Sequence, residues 1–182
     1  MNKTLPSNSC MKRRITRVTL ARGMGWGLLG GWGSTLFMDF VLMGALSAVG
    51  LPALSCFSIV GNTVARFFSL MGLEVAGGVS LGVATHYVVG PVIGIIFGGI
   101  VTQVACLRVD SVKKGVILAV LYVEILSQPI LATTPILLKM TNPEAWLWFG
   151  GSFVMHFIWG TILGLVMGYG FGLATAVKPG CA

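Results

Sequence analysis

Charge is what this chain has least of. Asp, Glu, Lys and Arg make up 9% of its residues, where a soluble domain carries about a quarter. Apolar residues make up 55% and mean hydropathy is +0.92. An ordinary water-soluble domain is excluded, and a lipid environment is expected. Cysteine is sparse too. None of the four forms a Cys-x-x-Cys pair, and only Cys56 is expected on the outer side, so no disulfide framework is expected. No phosphate-binding loop and no His-Glu-x-x-His occurs, so the sequence leans away from an enzyme without deciding the matter.

The charge that is present has a side. Lys3, Lys12, Arg13, Arg14, Arg17 and Arg22 precede the first apolar segment. Arg108, Lys113 and Lys114 lie between the middle segments, and Lys178 follows the last. Only Arg66 and Lys139 fall elsewhere. This is the positive-inside pattern. It predicts a multi-pass protein of a bacterial-type inner membrane with both termini cytoplasmic. The net charge of +7 then belongs to a membrane face, and no nucleic-acid partner is expected.

The predicted fold is an all-α integral membrane bundle over residues 23–177. A basic cytoplasmic segment, 1–22, precedes it and a short tail, 178–182, follows. Spans are expected at 23–49, 77–106, 115–138 and 146–176, each meeting the roughly 20 residues a crossing needs. Pro129 and Pro135 predict a kink in the third span, with carbonyls left needing another donor. Trp146 and Trp148 open the fourth at an aromatic belt. Between the first two spans, Ser55, Ser58, Asn62, Arg66 and Ser69 recur at three- and four-residue spacing. Phe57, Val60, Val64, Phe67 and Phe68 fill the opposite face. That pattern predicts an outer, interfacial amphipathic helix over 53–72, with a re-entrant piece or a fifth span as alternatives.

Into this frame the sequence sets Asp39, His86, Glu124 and His156, one near the middle of each span. An ionisable group in lipid costs free energy, so it usually faces a partner, a ligand or water. His86 is followed at four-residue spacing by Gly90, Gly94 and Gly98, and His156 by Gly160, Gly164 and Gly168. Both spans should run from outside to inside, which makes the units parallel repeats. The expectation is two helical hairpins, each with an acid on its first helix and a histidine on its second. Asp39 stands nine residues after Gly30, and Glu124 nine after Gly115. The four-residue spacing lines the glycines along one helical face, where a neighbouring backbone can approach. Thr35 lies one turn before Asp39 and Gln128 one turn after Glu124. Arg66 is a candidate outer counter-charge to Asp39 or Glu74.

Three readings of these residues stay open. They can be interhelical hydrogen bonds of about 0.6–2 kcal/mol in a structural or accessory subunit. They can form a path for protons, ions or a small solute. His86 and His156 can face each other and hold haem or a transition metal, although no motif requires a cofactor. Four spans enclose a narrow space, so a homo-oligomer or a larger membrane complex is expected within the lipid bilayer.

Several stretches resemble the YagU-like small bacterial inner-membrane proteins. They are Val123-Glu-Ile-Leu-Ser-Gln-Pro129, Thr134-Pro135, the tryptophan-bearing loop and the histidine early in the last helix. Gly82-Val-Ala-Thr-His86 and Gly27-Leu-Leu-Gly-Gly31 are similar as well. The resemblance covers most of the bundle in short pieces. It implies an inner-membrane protein with physiology linked to acid tolerance, and names no substrate. In that family a histidine can stand at the position of Glu124 and a basic residue at that of Asp39, so it assigns neither acid a fixed role.

Overall fold

The computed structural model describes the backbone of residues 8–176 and the side chains of residues 20–172. Its elements are α1 (Asn8–Ala48), α2 (Ser55–Leu70), α3 (Val79–Gln103), α4 (Val112–Leu131), α5 (Thr133–Leu138) and α6 (Asn142–Ala176), with one 3-10 turn at Ala105–Leu107. No strand occurs among the described residues. Four stretches are long and apolar enough to cross a membrane: Leu20–Ala48, Val79–Gln103, Val112–Leu138 and Asn142–Gly172. The shortest has 25 residues. At 1.5 Å per residue it covers about 37 Å, more than the roughly 30 Å of a hydrocarbon core. With its 16 residues, α2 covers only about 24 Å and is not one of the four.

Local chemistry sets the helix ends. The first helix starts at Asn8 rather than at Gly23. Nothing between Asn8 and Arg22 breaks a helix, and Arg, Lys, Leu and Met are good helix formers. The side chains of the 12–17 basic cluster, and Lys178, lie outside the described residues. Ser111 caps α4 by accepting from the backbone N–H of Lys114 at 3.4 Å. Ahead of α6, the Glu144 carboxylate accepts from both the backbone N–H and the hydroxyl of Thr141, each at 2.8 Å. That is half of a capping box.

The third crossing breaks at Ala132, between α4 and α5. Pro135 has no N–H to offer the carbonyl four residues back, which is that of Leu131. The Trp148 indole N–H donates to that carbonyl instead, at 3.2 Å. The fourth-span tryptophan thus supplies the donor that the proline removed.

Glycine sets how the helices meet. A Cβ added at Gly23, Gly27 or Gly31 of α1 would strike the backbone of Gly98, Gly94 or Gly90 of α3, respectively. A Cβ at Gly160, Gly164 or Gly168 of α6 would strike Val120, Val116 or Val112 of α4. Both pairs are therefore antiparallel and in backbone contact. α1 also packs on α6, with Gly30 against Leu163 and the Trp26 ring against Gly170. It follows that α3 and α6 run in the same direction. α3 and α4 meet mainly by side chains: the Tyr122 ring lies 5.2 Å from that of Phe97, and its hydroxyl donates to the Ile93 carbonyl at 3.4 Å. Phe97, Val101, Leu163 and Met167 are fully buried and form a dry core in one half of the bundle. α2 lies across α3 through Gly61 and Gly82, and Thr63 bonds Thr134 of α5. Large apolar side chains such as Phe40, Ile125 and Leu147 point outward, as lipid-facing residues do.

Candidate functional site

Above the dry core all four crossing helices wall one small cavity. Thr35 and Met38 come from α1, Thr85 and His86 from α3, Val123 and Ser127 from α4, and His156 and Trp159 from α6. Its volume is about 110 Å³, room for roughly three or four waters at about 30 Å³ each. The two histidines of the chain, 70 positions apart, thus line the same space.

His86 is held by Asp39. Its Nδ1 lies 3.0 Å from Asp39 Oδ1, across the α1–α3 contact, and the carboxylate is buried. That contact engages Nδ1 and leaves Nε2 without a hydrogen-bond partner. Phe57 of α2 packs edge-on against the imidazole at 5.1 Å. Asp39 Oδ2 makes no hydrogen bond, and the Cys56 thiol of α2 lies within reach of its field. Burial pushes the Cys56 thiol up to about 11, and the Asp39 charge adds to the effect.

His156 reaches the same state differently. Its Nδ1 lies 2.7 Å from the carbonyl of Ser152 on its own helix. A carbonyl cannot donate, so Nδ1 carries the hydrogen and Nε2 again has no bonded partner. Each imidazole is therefore oriented through Nδ1, and its other nitrogen is unengaged.

Glu124 does not join the cavity wall. Gln128 donates to its Oε2 at 2.7 Å, within α4. The α4–α6 contacts place Glu124 on the face toward α6, yet it makes no bond to His156. Glu124 Oε1 is buried without a partner, as are Ser34 Oγ and Ser127 Oγ. Such a group costs about 1–3 kcal/mol unless water reaches it. Of these, Ser127 is on the cavity wall, placed to bond water there.

Arg66 is exposed on α2 and makes no ion pair with Asp39 or Glu74. Asp39 instead pairs with His86, and Glu74 accepts from Ser69 at 3.3 Å. An arginine at a membrane surface keeps its hydration on the outward face, which costs less than burial beside a carboxylate.

Three contributors were missed in the sequence. The Trp159 indole N–H donates to Thr35 Oγ1 at 3.0 Å, and Thr35 in turn donates to the Gly31 carbonyl at 2.9 Å. Trp159 lies three residues after His156, on the same face, which was the available signal. Ser127 lies three residues after Glu124. Met38 looks like any packing residue. One motif was also passed over: Gly78-Val79-Ser80-Leu81-Gly82 fits the Gly-x-Ser-x-Gly pattern. A nucleophile elbow follows a strand. Here no strand precedes it, and Ser80 is exposed with no histidine or acid bonded to it. Comparison with known proteins gives no match, whether to a family model, a curated protein or a solved structure.

Proposed function

We propose that this chain is a multi-pass inner-membrane protein, with cytoplasmic termini, that moves protons through the cavity shared by His86 and His156. One observation carries the reading: two imidazoles on one wall, each oriented through Nδ1 and each with Nε2 unengaged. An imidazole so held can take a proton on Nε2 and return it without losing its orientation. Asp39 offsets the positive charge that His86 gains. Waters in the cavity would link the two nitrogens, with the Ser127 hydroxyl as a further station. On the far side of Trp159 the core is dry, so a continuous wire requires the helices to shift. The glycine-lined contacts of α1 with α3 and of α4 with α6 have few side chains to obstruct such a shift. Intramembrane Asp, Glu and His are the usual parts of proton relays.

The test is flux. Purified protein in vesicles carrying an internal pH dye should dissipate an imposed pH gradient. His86→Phe combined with His156→Phe should abolish that flux while the protein stays folded. Wild-type flux from a folded double variant refutes the reading. The second reading is a structural or accessory subunit, favoured by the buried Trp159–Thr35 bond, which needs no ligand. It predicts no flux, and a fixed partner that co-purifies.

A further inference from the structure

We propose that the same cavity is a binding site for a soft monovalent cation, copper(I), held by Nε2 of His86, Nε2 of His156 and the thioether of Met38. The inference rests on reading this cavity as a functional site, and it names the ion class the site takes. All three side chains line the one space of about 110 Å³, which admits an ion with a water or two. Imidazole with thioether is a soft donor set that favours copper(I) over hard cations.

A second observation is independent of the cavity. Histidines that bind metal almost always donate their other N–H to a carboxylate or a backbone carbonyl. His86 does the first, to Asp39, and His156 the second, to Ser152. Nδ1 is thus engaged in both rings, and Nε2 is the nitrogen left for a metal.

The supporting group is built in, since Asp39 is buried and its Oδ1 holds His86 through Nδ1 at 3.0 Å. Among the described residues no group of three or more His, Cys, Asp and Glu gathers as a structural zinc site requires.

The experiment uses the full chain with Cys10, Cys56, Cys106 and Cys181 replaced by alanine, so that thiols do not compete. The protein in lipid nanodiscs is titrated anaerobically with copper(I) against a chromophoric copper(I) chelator. One ion per chain is expected. Met38→Leu, nearly isosteric, should weaken binding at least tenfold. Asp39→Asn should weaken it roughly 10- to 100-fold, as loss of a supporting carboxylate does. His86→Phe with His156→Phe should abolish binding. If the chelator keeps all the copper, or if folded Met38→Leu binds as wild type does, the proposal is overturned. Should the histidine pair fail to fold, Met38→Leu still decides. Histidine-dependent proton flux without copper binding overturns this inference alone. Copper binding without proton flux overturns only the proton reading.

Discussion

The backbone contact between α1 and α3 offers a controlled test. At Gly94, α3 lies directly on α1, and an added methyl would meet the carbonyl oxygen of Gly27 and the Cα and N of Gly31. Those are backbone atoms and cannot rotate away. Gly99, five residues along the same helix, is open: a methyl there meets only Leu20 and Met24 side-chain carbons at 3.9 Å. Gly→Ala gains about 0.8–1 kcal/mol of helix propensity at either position. Overpacking a tight contact costs about 1–3 kcal/mol, and only Gly94→Ala should incur it. The two variants should therefore differ in stability by about 1–3 kcal/mol, Gly99→Ala being the more stable. Denaturant unfolding in micelles, followed by helical circular dichroism, reads that difference. His86 is eight residues from Gly94, roughly 12 Å along the helix. Pushing α1 off α3 should thus also stretch the 3.0 Å Asp39–His86 bond and lower any activity that depends on it. If Gly94→Ala is as stable as Gly99→Ala, the glycine contact does not set the helix separation, and this account of the bundle fails.

Three further predictions concern the helix ends, the topology and the burial of Cys56. Trp148→Phe should cost about 0.5–1.5 kcal/mol by orphaning the Leu131 carbonyl. In a Pro135→Ala background the restored N–H should shrink that cost, and an unchanged cost in the double-mutant cycle would refute the substitution of indole for proline N–H. Cys106 is exposed beyond the end of α3, on the side predicted to be cytoplasmic. In a chain retaining Cys106 alone, an impermeant maleimide should label inside-out vesicles and not right-side-out ones; the reverse pattern would invert the topology. A chain retaining Cys56 alone should resist labelling from either side at pH 8. With its thiol near 11, about a thousandth is thiolate there, and rapid labelling would contradict the burial.

The four crossing stretches were legible because a crossing needs only length and apolarity, and both can be counted. The break at Ala132 was legible from Pro129 and Pro135, but its partner was not. That Trp148 would supply the missing donor depends on α6 folding back beside α4, a distance of 17 positions. Likewise, the spacing singled out Asp39 and His86, yet Arg66 was as good a candidate partner until α2 took its place across α3. Pairing in a bundle is decided by which faces meet, and a single sequence gives faces without neighbours. Met38 was illegible for a different reason. A methionine in an apolar run has no composition signal that separates a ligand from packing.

The glycine contacts also explain why only one histidine has an acid. Along α1, Gly31 meets Gly90, four residues past His86; along α4, Val120 meets Gly160, four residues past His156. By that measure Thr35 and Glu124 occupy matching levels, and so do Asp39 and Gln128. Counting nine residues from Gly30 and from Gly115 had matched Asp39 with Glu124, one turn out of step. Where α1 places a carboxylate that can reach across to the histidine, α4 places an amide, and that amide is already donating to Glu124. His156 therefore turns its Nδ1 back to Ser152 on its own helix. The two imidazoles end up similarly oriented but differently charged in their surroundings, one beside a buried carboxylate and one beside a neutral carbonyl. In the proposed proton path, a carboxylate beside only one ring holds the proton on that side, and a second carboxylate beside His156 would hold it there too. Gln128→Asp would give α4 a carboxylate at the level that Asp39 holds on α1. If the asymmetry matters, that variant should keep the fold and slow proton flux, and unchanged flux would mean that Asp39 does no more than orient its ring.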